Sequence, residues 1–219
     1  MSAFPGAPRL LRAGLVVVDQ NTLAVQRVIA LQYNPDSLSR TLQVRGATGD
    51  SGDRLDALRL TGPPVETIKL DAELDATDQL ESPTADSNAV KYGIQPDLAV
   101  LETLIYPPSS QIQTDNTLAQ GGTIEIAPME APLTLFVWSA VRILPVRLTE
   151  FSITEEAFDQ LLNPIRAKVS LGMRVLSVND LSFDHKGNSV FLANQARKEV
   201  LASKIGQGSL SSLGISSLT

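Results

Sequence analysis

His185 is the chain's single histidine, in the polar stretch Ser182-Phe183-Asp184-His185-Lys186-Gly187-Asn188. One imidazole cannot build a multi-histidine metal site, and the surrounding residues read as a turn. Ser51 is the second candidate, in Gly49-Asp50-Ser51-Gly52-Asp53. A nucleophilic serine needs a base and an acid that orients the base. His185 lies far downstream of it, and both flanks are polar loop. Asp71, Glu73, Asp75, Asp78 and Glu81 form the third candidate, an acidic run. Paired carboxylates carry protons or bind cations. On a strand, however, alternate residues share a face, so Asp71, Glu73 and Asp75 form one outward, solvated row. An EF-hand calcium loop would need a glycine at its sharp turn, and the run has none. Neither a phosphate loop ending in Lys-Ser or Lys-Thr nor a strand-linked dinucleotide fingerprint is found. The expectation is a non-enzymatic protein with no catalytic, cofactor-binding or metal-binding residues, and so without cofactors.

The elements carrying these residues belong to an ordinary folded protein. The chain has 219 residues, 43% apolar and 19% charged, enough for one core plus a small appendage. A net charge of -6 opposes nucleic-acid binding, which needs a basic surface. With no cysteine, disulfides and thiolate metal sites are excluded. The apolar stretches fall short of the ~20 residues of a membrane span, so no direct membrane binding is expected. Residues 1–12, with Pro5 and Pro8, show no signal-peptide pattern. The expected location is the bacterial cytoplasm.

The dominant sequence period is two. Residues 15–18 and 23–33 read as strands around a turn at Asp19-Gln20-Asn21, and Leu38, Leu42 and Val44 suggest a third. Residues 46–64, rich in Gly, Asp and Pro, read as a long loop in which Leu55, Leu58 and Leu60 are available to dock. Ile68, Leu70, Ala72 and Leu74 alternate with Lys69, Asp71, Glu73 and Asp75, a half-buried strand. Residues 81–93 read as a second loop. Pro96 suits a helix's first turn, and the spacing of Leu98, Leu101, Leu104 and Ile105 predicts a helix over about 96–106, stopped by Pro107-Pro108. Residues 133–144 are strongly apolar and contain Trp138. Pro145 interrupts, and 146–153 resumes as strand. A further strand at 165–175 should bury Ile165, Ala167, Val169, Leu171 and Met173 and turn Arg166, Lys168, Ser170 and Arg174 outward. At 188–205 the period becomes helical, with Val190, Phe191, Asn194 and Leu201 as a narrow stripe. The Gly/Ser-rich tail 206–219 reads as loose. The expected organisation is a β domain at 13–178 and a C-terminal extension at 179–219.

Several segments together resemble the tube and tube-adaptor proteins of contractile injection systems. They are Leu31-Gln32-Tyr33-Asn34-Pro35-Asp36-Ser37-Leu38, the strand from Pro64 to Asp75, and Leu101-Glu102-Thr103-Leu104-Ile105-Tyr106-Pro107. Pro132-Leu133-Thr134-Leu135-Phe136-Val137-Trp138 follows, then Val146-Arg147-Leu148, the stretch from Phe151 to Phe158, and Asn163-Pro164-Ile165-Arg166-Ala167-Lys168-Val169. Their order and approximate spacing hold over residues 15–178. The resemblance implies a mainly β (α+β) fold: two packed antiparallel sheets closing towards a small barrel, with a flanking helix and, here, a C-terminal helix. It implies a homo-hexameric ring lining a wide channel. Its partners would be the inner tube protein, the central spike protein and other baseplate proteins, within an injection particle that is also released from the cell. Family adaptors often end in a peptidoglycan-binding LysM module. Residues 179–219 are too short and wrongly patterned for one, so cell-wall binding is not expected. Three alternatives stay open: a repeating or first-layer inner tube subunit, a carbohydrate-binding β-sandwich module, and a hydrolase using the acidic run.

Overall fold

A computed structural model describes residues 11–46, 58–81, 87–122, 131–206 and 208–218. The strands are β1 (Gly14–Val18), β2 (Val25–Ala30), β3 (Leu38–Gln43), β4 (Val65–Asp75), β5 (Leu133–Ser139), β6 (Arg142–Phe158) and β7 (Pro164–Val175). The helices are α1 (Thr77–Leu80), α2 (Ser87–Tyr92), α3 (Gln95–Glu102), α4 (Ser109–Gln120) and α5 (Lys186–Ala202), followed by a 3-10 turn at Leu210–Leu213. The fold is mainly antiparallel β with flanking helices, as expected.

The two packed sheets implied by the resemblance are instead one seven-stranded sheet in the order β2-β1-β5-β6-β7-β4-β3. The reason lies in β6. Its first residues pair with β5, and from Val146 to Phe158 it pairs with β7, so the ladder passes from one half to the other without a break. A register shift between Leu148 and Glu150 bends the strand there. The bent sheet wraps one core. Ala13, Leu15, Ile29 and Leu31 from the first hairpin share a cluster with Ile68, Leu70, Ala72 and Leu74 from the far side of the strand order. Leu98 and Leu101 of α3 fill the same core.

Alternation sets the faces. Ala167, Val169, Leu171 and Met173 of β7 are buried, Ile165 is half-buried, and Arg166, Lys168 and Ser170 are exposed. β4 buries Ile68, Leu70, Ala72 and Leu74 in the same way.

Boundaries differ where local chemistry overrides the period. The second strand begins at Val25, because Asp19 Oδ1 accepts from the amides of Asn21 and Thr22 and extends the turn. Pro145 does not interrupt β6. Its carbonyl accepts from Leu176 N at 2.8 Å, and a strand residue's N–H and C=O point to the same side. The missing donor therefore falls past Val175, the last residue of β7.

Two helices depart from the expected loops. Within 81–93, residues 87–92 form α2, which ends at Gly93 with φ +59° and Gly93 N bonded to Ala89 O. Past Pro107-Pro108, α4 starts with Pro108 as N-cap. It buries no side chain, so it has no apolar period to betray it. The 46–64 region begins as a continued hairpin, with Gly46 bridging Leu60 and Thr61 N donating to Arg45 O. Leu58 and Leu60 are 94% and 71% exposed; Leu55 lies outside the described residues.

Candidate functional site

The sheet separates the acidic run. Asp71, Glu73 and Asp75 lie on β4 opposite Ser170, Lys168 and Arg166 of β7. Ser170 Oγ donates to Asp71 Oδ1 at 2.5 Å. Arg166 grips Asp75 Oδ2 through Nε and Nη2, both at 2.8 Å. Asp78 sits in the first turn of α1, and Glu81 lies just past its end. Neighbouring rows on the same face pair too: Lys69 with Glu150 at 2.5 Å and Lys168 with Glu156 at 3.5 Å. Gly172 makes the first of these possible, because a β-carbon there would stand 2.7 Å from Glu150 Cβ. The result is an extended polar surface neutralised across strands. Among the described residues no three His, Cys, Asp or Glu side chains converge to hold a metal ion.

The other two candidates stand apart from it. His185 is the N-cap of α5, with Nδ1 accepting from Gly187 N at 3.0 Å. Its Nε2 lies 3.3 Å from Gln20 Oε1. Gly49-Asp50-Ser51-Gly52-Asp53 lies outside the described residues.

Among the described residues three carboxylates are held below the usual carboxylate range. Burial works to raise Asp75, and hydrogen bonds from the Thr77 hydroxyl and amide and from Arg166 outweigh it. Asp19 is lowered chiefly by the Thr22 amide, and Asp159 chiefly by the Asn163 side chain. All three close turns or strand ends, so these shifts belong to architecture rather than to proton transfer.

Sequence reasoning missed the most buried ionic group among the described residues. Glu66 lies on the core face of β4 and is only 4% exposed. Arg40 of β3 donates to its Oε1 from Nε at 2.7 Å and Nη2 at 2.6 Å. Lys198 of α5 approaches Oε2 at 3.4 Å. Extending the β4 alternation back by two residues from Ile68 puts Glu66 on the buried side, which was the available signal. The triad ties α5 to its own sheet, and Phe191 packs on the same core.

Two side-chain clasps organise the 31–38 segment. Asn34 accepts from Ala13 N at 2.9 Å and donates to Leu11 O at 2.7 Å. Gln32 donates to Asp75 O at 2.6 Å and accepts from Asp75 N at 2.8 Å. The first fixes the chain entering β1. The second joins the first hairpin to the end of β4.

A cleft of about 550 Å³ lies between the β1–β2 turn and the 103–108 turn, lined by residues including Gln20, Gln26, Thr103, Tyr106 and Pro132. Tyr106 is its one aromatic among the described residues. A carbohydrate groove needs several ring faces for stacking, so the cleft does not favour that alternative.

Among the described residues no helix is long and apolar enough to cross a membrane. No protein-family model and no curated protein matches the chain. Among solved structures, a chain from the tail of an empty GTA particle, refined helically with C6 symmetry, aligns over 75% of this chain and 90% of its own length. The identity is 10% and the TM-score 0.30.

Proposed function

We propose that this chain is a non-enzymatic structural subunit of a phage-tail-like contractile injection particle, forming a hexameric ring as the adaptor between inner tube and spike. One observation carries the reading. The residues with chemical potential are spread over a sheet face and paired off across strands, as in Lys69–Glu150 and Asp75–Arg166. Such a surface suits the wall of a wide, wet channel. A catalytic site instead gathers perturbed groups in a cleft. The ordered family-like segments support the same reading, since two of them supply the Asn34 and Gln32 clasps and the Asn163–Asp159 turn.

The outer side of the last turn of α5 and the segment after it give the adaptor its second surface. Val200, Leu201 and Ile205 are exposed, as are Leu213 and Leu218 in the tail, while α5 spends its inner face on its own sheet. This outer apolar set is where a spike or adjoining subunit would seat.

Light scattering and negative-stain imaging of the purified chain, alone and co-expressed with tube and spike proteins, test the reading. Hexameric rings with an open channel are expected, occupying a single layer between tube and spike. Many stacked layers of this chain would favour the repeating tube subunit. A monomer at every concentration, with or without those partners, would refute the ring.

A further inference from the structure

We infer that the contact between subunits is a parallel strand pair, with the open edge of β3 on one copy lying beside the open edge of β2 on the next. This rests on the ring reading above and names the surfaces that make it.

Among the described residues β2 and β3 are the two edges of the seven-stranded sheet, and each is six residues long. Among the described residues, no main-chain hydrogen bond reaches the far side of either strand. Monomeric proteins protect such edges with lysine, proline, an inward bulge or a cover. Neither Val25–Ala30 nor Leu38–Gln43 contains a lysine or a proline; β2 has one bulge, at Gln26 between the pairs Val17–Arg27 and Val18–Val25, and is regular from Arg27 to Ala30. Each has one charged residue, and both are engaged by a partner within the subunit. Arg27 donates to Thr103 of the turn after α3, and Arg40 to the buried Glu66. Exposed apolar residues stand among exposed polar ones on both edges: Val25 and Val28 beside Gln26 and Arg27 on β2, and Leu42 with the adjoining Val44 beside Ser39, Thr41 and Gln43 on the β3 side.

The strand count fixes the sense of pairing. Every neighbour in the sheet is antiparallel. With seven strands, an odd number, the two edge strands run in the same direction. A rotation axis along the strands preserves that direction, so β3 meets the neighbour's β2 in parallel. Repeating this heterologous contact closes a ring where the rotation per step divides a full turn. A two-fold contact between like edges would instead be antiparallel and stop at a dimer. A six-residue pair is about 20 Å long, too little for a stable interface by itself. Val44 extends the β3 side apolar and exposed past the strand's end, lengthening the contact.

Because the natural chain has no cysteine, pairing is read by disulfide formation. Thr41→Cys is combined in turn with Gln26→Cys, Val28→Cys or Ala30→Cys, and mildly oxidised samples are run on non-reducing gels. One combination should give a ladder of covalent multimers, while each single variant stays unlinked. Val28→Lys and Leu42→Lys should each abolish ring formation and leave the monomer's melting temperature within about 2 °C of the parent, as for an exposed substitution. Dimers from any single-cysteine variant would mean that like edges meet, overturning the proposal. Rings that persist in both lysine variants would also overturn it and leave the ring reading standing. A parent chain that never assembles sinks both.

Discussion

Replacing Arg40 by alanine strips Glu66 of its two shortest contacts, at 2.7 and 2.6 Å. The Glu66 side chain is 5% exposed, so its carboxylate cannot turn to water, and only Lys198, at 3.4 Å, is left to compensate. Breaking a fully buried pair costs about 3–5 kcal/mol. With Lys198 still present, the loss here is about 2–3 kcal/mol. At about 2–4 °C per kcal/mol for a chain of this size, melting falls by about 4–12 °C. Lys198→Ala removes only the longer contact, from an ammonium that is 41% exposed. That places it in the range of solvent-exposed pairs, about 0.2–1 kcal/mol. Glu66→Gln should fall between the two, because both cations left behind reach water, Arg40 being 27% exposed. Thermal and urea unfolding of the three variants and of the Arg40→Ala/Lys198→Ala double variant give the coupling directly. Equal losses from Arg40→Ala and Lys198→Ala, or less than about 0.5 kcal/mol from Arg40→Ala, would show that the carboxylate is not held as the geometry requires.

Gly93→Ala should destabilise by about 3 kcal/mol or more, since φ is +59° and the added carbon would stand 2.1 Å from Pro164 O. Gly122→Ala, at φ +85° with nothing within 4 Å, is the control and should cost about 1 kcal/mol; similar melting of the two would refute the close approach. Asp75 is held below its ordinary value, so its stabilising effect is complete above the unfolded pKa of about 3.9 and is lost as pH falls through the lower folded value. Asp75→Asn should therefore cost about 1 kcal/mol at pH 7, with the gap to the parent closing below about pH 4; a gap constant down to pH 2 would contradict this. Deletion after Asp184 removes Phe191 and Lys198 from the core and from Glu66, and should lower melting and promote aggregation; an unchanged melting curve would mean that α5 contributes nothing to its own subunit.

Much of this protein was legible from alternation alone. Whether a β4 or β7 side chain faces core or solvent is decided by backbone pleat, a local property, so Val169 and Lys168 are separable without knowing their neighbours. The Pro96 helix start and the outward acidic row are local in the same sense. Which strands lie side by side is not local. One sheet rather than two follows from β6 pairing with β5 over its start and with β7 beyond, and from distant parts of the chain Leu15 reaches Phe136 of β5 and Leu70 reaches Leu171 of β7. Pro145 reads as a break until the end of β7 is seen to fall where its missing N–H would point. α4 is invisible because a helix that buries nothing needs no apolar stripe. Glu66 sits among outward carboxylates in sequence, and only the fold brings Arg40 and Lys198 from β3 and α5 to neutralise it. Pattern records each residue's distance from water, whereas partners depend on chain closure over tens of residues, and that is settled by the packed core as a whole.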